Sequence, residues 1–176
     1  MQFQIGDQVV HPVHGVGTVK TISTQHFGTG QKRQYYEVAA ESVTVWVPID
    51  DKGTTVLRGI APKHSLHECR RLLSSDPVPL DKSPKIRQLE IAERLSGGLL
   101  PALCETVRDL TALSAQRPLP ASEDRLLKRI YKALCDEWAA AEGVRAQDAL
   151  HEIEDLLHAA REPQSPAERV HPKVKS

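Results

Sequence analysis

The residues of this 176-residue chain whose types and spacing could do chemistry are two histidine groups, three cysteines, a Gly-x-Gly after a short apolar run and two rows of basic side chains. His11-x-x-His14 and His64-Ser65-Leu66-His67-Glu68-Cys69 have ligand-like spacing. Zinc requires three or four donors that converge, and no second Cys/His pair stands at a convincing distance from either group. Hydrogen-bonded or solvent-facing histidines are therefore expected, and no metal. A nucleophilic cysteine needs a neighbouring base and a lowered pKa. Cys104 sits one residue from an apolar helical stripe and Cys135 follows Leu134, which fits small buried residues. Neither a Gly-x-Ser-x-Gly nor a Walker sequence is present, so an enzyme is not expected and no cofactor is implied.

Gly15-Val16-Gly17 follows a short apolar run, as a phosphate cradle would, but a cradle must open a helix N-terminus. The next residues, Thr18-Val19-Lys20-Thr21-Ile22-Ser23-Thr24, alternate β-branched side chains and read as a strand. The glycines thus predict a tight turn or bulge.

Charge is the remaining resource. Arg125, Lys128, Arg129 and Lys132 recur at helical spacing opposite Leu126, Ile130 and Leu134, giving a helix with one basic and one apolar stripe. Such a row is either a solvated face, with Asp136 neutralising Lys132, or a contact for DNA phosphates. Lys82, Lys85, Arg87 and Arg94 form a second group, in which Glu90 is spaced to pair with Arg87 and Arg94 along one helix. The 23 basic and 23 acidic residues cancel. Any nucleic-acid contact must therefore come from a local patch, because the whole chain does not attract a polyanion.

The elements that position these groups divide the chain by period. Residues 1–60 alternate with period two and predict five short strands, with Gly28-Thr29-Gly30 as a hairpin connection. Five strands in so short a stretch point to a small SH3 or Tudor-like barrel. In Val43-Thr44-Val45-Trp46-Val47-Pro48 the valines share one face. Trp46 then lies outside, either over the seam between the halves or as an anchor for a protein partner. Residues 61–81 read as a connecting helix and a stiff Asp76–Asp81 linker or long loop, 82–161 as an all-α domain, and 162–176 as a disordered tail. The fold class is α+β. Ser83-Pro84 and Glu123-Asp124 mark helix starts, and Gly143 a helix end. No leader or membrane segment is legible and the cysteines form no disulfide framework, so a cytoplasmic protein is expected.

On these residues the chain resembles a known family. "FQIGDQVVHPVHGVGTVKTI", "QYYEV", "VTVWVPID" and "LRGI" are similar to the RNA-polymerase interaction domain of the CarD/CdnL bacterial transcription regulators, a domain shared with the transcription-repair coupling factor. "LSGGLLPALCETVRDLTALSAQRPLPASEDRLLKRIYKALCDEWAAAEG" resembles the helical domain of the same family. The resemblance implies a monomeric stand-alone regulator with two contacts. A barrel edge would pair with a strand of the polymerase β subunit through Thr24, Gln25, His26 and Phe27, with Trp46 on the adjacent strand. The helical domain would meet promoter DNA at the upstream edge of the bubble through Lys82, Pro84, Lys85, Arg87, Arg125, Lys128, Arg129 and Lys132. The sequence departs from the family pattern in carrying Gln25 and Trp46 where arginines are common, and Pro84 at the place of a tryptophan wedge. An adaptor that binds polymerase or another partner without functional DNA contact is the competing expectation.

Overall fold

The computed structural model describes residues 3–27, 31–41, 43–50 and 52–160. The expected hairpin connection at 28–30 and the expected tail at 162–176 lie outside the described residues.

The first half is an antiparallel five-stranded sheet of β1 (Gln8–His11), β2 (Gly15–Phe27), β3 (Gln31–Ala40), β4 (Val43–Ile49) and β5 (Arg58–Gly59), in the order β4-β3-β2-β1-β5. The sheet curls around Phe3, Val9, Val19, Tyr36, Val38, Val47, Ile49 and Leu57, but β4 and β5 end the sheet and do not pair with each other. The expected barrel is therefore a Tudor-like sheet that is not closed. Its last strand is two residues long, too short to bridge to β4.

Gly15 and Gly17 shape the β1–β2 turn. Gly15 has φ +71°, which favours glycine. At Gly17 a Cβ would lie 2.6 Å from Val38 Cγ1 and 3.0 Å from the Ala39 carbonyl oxygen, so only hydrogen fits. His11 Nδ1 accepts hydrogen bonds from the backbone N–H groups of Val13 (3.1 Å) and His14 (3.2 Å). The turn continues directly into β2, and no helix N-terminus follows for a phosphate to meet.

The second half comprises α1 (Leu66–Leu73), α2 (Pro84–Leu95), α3 (Leu100–Gln116), α4 (Ala121–Glu142) and α5 (Ala146–Ala159). Pro84 occupies the first turn of α2 and Gly143 ends α4 at φ +79°, as the start and stop signals predict. Leu66, Cys69 and Leu73 of α1 join Val107, Leu110, Leu134, Trp138 and Ile153 in one core. The stretch 61–81 is thus part of the helical body and not a free linker. Asp109 pins its loop: its carboxylate accepts the Val78 N–H at 2.9 Å, Arg108 Nε at 2.8 Å and Arg94 Nη1 at 2.9 Å. All three cysteines are buried. None of the described helices is long and apolar enough to cross a membrane.

Candidate functional site

Two surfaces could receive a partner, and they differ in what they present. On the sheet, β1 covers β2 only over Gly15–Thr18, while β3 follows β2 to Phe27. The other border of β2 from Thr21 to Phe27 therefore carries backbone N–H and C=O groups with no strand beside them among the described residues. Such a border is a template for an added strand. β4 offers a border too, but Pro48 stands in it, opposite Tyr35, and proline donates no hydrogen bond.

Thr24 is exposed on this free border. Gln25, His26 and Phe27 continue it in register with Arg33, Lys32 and Gln31, and their side chains lie outside the described residues. Trp46 is not on the adjacent strand. It faces Glu37 of β3, which in turn faces Thr21 of β2, so one whole strand separates it from the Thr24–Phe27 border. Its side chain is 51% exposed; it stands on the outer face of the sheet in the row of Glu37 and Thr21, where Thr21 Oγ1 donates to Glu37 Oε2 at 2.6 Å.

On the helical half the first turns of α2 and α4 meet, with Gln88 Nε2 donating to Ser122 Oγ at 3.2 Å. Lys82, Pro84, Lys85 and Arg125 are exposed around this junction, and Pro84 serves as a helix-start residue whose ring is open to solvent. Ile86 and Leu89 are exposed on the same helix.

The remaining basic residues have other work. Arg87 is fully buried, and its guanidinium donates three times to Glu123, Nε at 3.1 Å and Nη2 at 2.7 Å to Oε1 and Nη2 at 3.0 Å to Oε2. It cannot reach a phosphate, and its partner comes from α4 instead of Glu90. Arg94 likewise reaches Asp109 on α3. Lys128 pairs with Asp124 at 2.8 Å; Lys132 pairs with Asp136 at 2.8 Å and Glu41 at 3.1 Å, and these carboxylates raise its pKa. Arg129 lines a cleft of about 810 Å³ between the β1–β2 turn and helices α2 and α4. The basic stripe is therefore broken into unlike parts.

His64 and His67 are exposed while Cys69 is buried, so that trio does not converge, and among the described residues no three His, Cys, Asp or Glu side chains are grouped to hold a metal. Burial pushes the Cys135 thiol up to about 11, and the Cys104 thiol is also raised, chiefly by its contact with Cys69. The same contact lowers the Cys69 thiol, so it is at Cys104 and Cys135 that the shift opposes what a nucleophile needs.

Sequence reasoning missed Arg58 and Glu137. Arg58 Nη1 and Nη2 grip the Glu137 carboxylate, the second at 2.7 Å to Oε2, and Arg58 Nε donates to the Gly98 carbonyl at 2.7 Å. A signal was present: Glu123, Ile130 and Glu137 recur every seven residues on one buried stripe of α4. An acid at a core position demands a cation across from it.

Comparison with known proteins agrees with this division into halves. The domain described as "CarD-like/TRCF RID domain" matches residues 3–60, and that described as "CarD, C-terminal domain" matches residues 68–154. The chain belongs to the CarD-like family of transcription factors. It is also 29% identical over 148 residues, covering 81% of this chain and 94% of the relative, to a Bacillus subtilis (strain 168) protein named "Putative transcription factor YdeB". The open sheet is thus the family's RNA-polymerase interaction domain, and the five helices belong to a family of transcription factors, not a class of enzymes.

Proposed function

We propose that this CarD-like protein acts as a monomer in the cytoplasm. It docks on the β subunit of RNA polymerase by adding a polymerase strand to the border of β2, and it holds its helices against promoter DNA beside the melted region. The observation that carries the polymerase contact is the uncovered run Thr21–Phe27 of β2. Backbone pairing there supplies affinity, and side chains at Thr24, Gln25, His26 and Phe27 supply specificity. Trp46 contributes from the outer face as an aromatic anchor, at a distance from the added strand.

DNA contact falls to Lys82, Pro84, Lys85, Arg125 and Lys128, the last in competition with Asp124. Lys132 is paired with Asp136 and Glu41 and Arg87 is buried, while Arg129 faces the cleft. With about three phosphates engaged, DNA affinity should fall with salt at a log–log slope near −3. Protein that favours melted over closed promoter DNA would shift that equilibrium; equal affinity for both would not. Pro84 with its exposed aliphatic neighbours takes the position where the family carries a tryptophan, and apolar side chains including proline can wedge a base step.

A photoactivatable residue placed at Thr24 tests the docking. Cross-linking to the β subunit, lost when Phe27→Ala is added, is the expected result; cross-linking to another subunit, or none, overturns it. A Lys85→Glu/Arg125→Glu variant should bind polymerase normally yet lose its effect on open-complex lifetime. Retention of that effect would instead favour an adaptor without functional DNA contact.

A further inference from the structure

The two halves keep separate apolar cores that share no buried side chain. They meet along a narrow seam, where β2 lies against α4, with the 810 Å³ cleft on one side and a recess of about 450 Å³ on the other. Apolar contact along so thin a line does not select one angle, because hydrophobic attraction is non-directional.

One other ion pair crosses the seam, Lys132–Glu41, but it is exposed and such pairs hold geometry weakly; the direction comes from a buried carboxylate. Glu137 is 1% exposed, a costly place for a charge unless every lone pair is met. Arg58 Nη1 and the Ala61 N–H donate to Oε1, and Arg58 Nη2 to Oε2. All these donors come from β5 and the residues just after it, whereas the carboxylate belongs to α4. The remaining guanidinium nitrogen, Nε, is held by the carbonyl of Gly98 in the α2–α3 joint. Gly98 adopts φ +60°, a conformation that favours glycine and turns this carbonyl toward Arg58.

We propose that Arg58, Glu137 and Gly98 form an orientation clamp that fixes the angle between the polymerase-binding sheet and the helices. Glu137 and Arg58 act as positioning residues. A planar fork closing on two carboxylate oxygens fits one geometry, and a lysine, a single point charge, does not. The consequence for transcription rests on the two-contact reading above: strand border and basic helix turns must reach polymerase and promoter together, and the linked arrangement raises the effective concentration of the second contact only if its geometry matches. The geometric part stands without that reading.

The test uses the full chain with spin labels at Thr44→Cys and Gln147→Cys, both exposed and on opposite halves; the native cysteines are buried and label poorly. The chain with Arg58 and Glu137 intact should give one narrow distance distribution. Glu137→Gln and the milder Arg58→Lys should each broaden it about twofold, because both retain bulk while losing the charged fork. Should Glu137→Gln fail to fold, Arg58→Lys carries the measurement alone. Unchanged distributions in folded variants overturn the clamp.

In parallel, unlabelled Arg58→Lys should keep polymerase affinity within about threefold while its effect on open-complex lifetime falls about tenfold. A broadened distribution with an undiminished lifetime effect overturns the positioning role. If the unaltered protein has no lifetime effect, the promoter reading has failed, and the distances still decide the clamp.

Discussion

The sheet half and the helical half handle polar groups in opposite ways. Every buried charged side chain among the described residues lies between Arg87 and Glu137, in the helices. The sheet buries none; its core is aliphatic and aromatic, with the Tyr36 hydroxyl accepting the Phe3 N–H at 3.0 Å and the two rings set edge to face. Helices satisfy their own backbone and cannot accept a foreign strand, so their specificity must come from side chains, here buried ion pairs that fix how α2, α3 and α4 cross. A sheet with an uncovered border keeps backbone hydrogen-bonding capacity in reserve for a partner. Its core then has to hold without help from that border.

The largest expected effect breaks the helical side of this contrast. Glu123→Ala leaves the Arg87 guanidinium buried without its partner, which should destabilise the protein by about 3–5 kcal/mol. Replacing both residues by methionine removes the charge together with its desolvation penalty and should cost far less. Urea denaturation of the two variants checks this. Equal losses would mean that packing, not charge pairing, joins α2 to α4.

The next effect belongs to the sheet. Gly17→Ala pushes a methyl group into Val38 and the Ala39 carbonyl, and should destabilise by about 1–3 kcal/mol. Because Gly17 pairs with both Val9 and Ala40, the same substitution should loosen the β1–β2–β3 junction without touching the Thr21–Phe27 border. Hydrogen exchange should then quicken around Val9 and Val38 and stay unchanged in α3 and α4. A smaller effect still is expected at Trp46, which is half exposed: Trp46→Ala should change stability by less than about 0.5 kcal/mol while weakening polymerase binding. A large stability loss there would turn the exposed anchor into a structural residue.

These contrasts explain what was legible in the sequence. Alternation in Val43–Ile49 placed Val47 inside, Val45 partly so and Trp46 outside, because period two is a local property; Val43, at the start of the strand, is exposed all the same. Ser83-Pro84 and Gly143 marked helix ends for the same reason. The fate of the basic residues was not local. Arg87 looked like Lys82 and Lys85, yet its position on α2 faces the buried Glu123 of α4, 36 residues away. Only the packing of the two helices decides which arginine is inside. The Asp76–Asp81 stretch has the composition of a linker but is held down by Asp109, whose role no spacing rule announces. The sheet read as a barrel because strand count says nothing about whether the end strands meet; that depends on β5, which shrinks to Arg58–Gly59.

The smallest effect concerns the turn that joins β1 to β2, where a titratable side chain acts as a backbone cap. His11 Nδ1 can accept the N–H groups of Val13 and His14 only while unprotonated. Burial, and then the nearby His14, lower its pKa from the ordinary 6.5. In the unfolded chain this histidine takes up its proton first as pH falls, so between the unfolded and folded pKa values the unfolded state holds more protons and stability declines. The loss begins near pH 6.5 and is complete below the lowered folded value. His11→Asn keeps a side-chain acceptor suited to such a turn but does not titrate. The melting temperature of the unaltered protein should therefore drop more than that of His11→Asn between about pH 7.5 and pH 5.5. Parallel declines would place the acid sensitivity elsewhere. A drop confined to the unaltered protein would tie it to the β1–β2 turn, whose two N–H groups lose their acceptor when His11 takes up a proton.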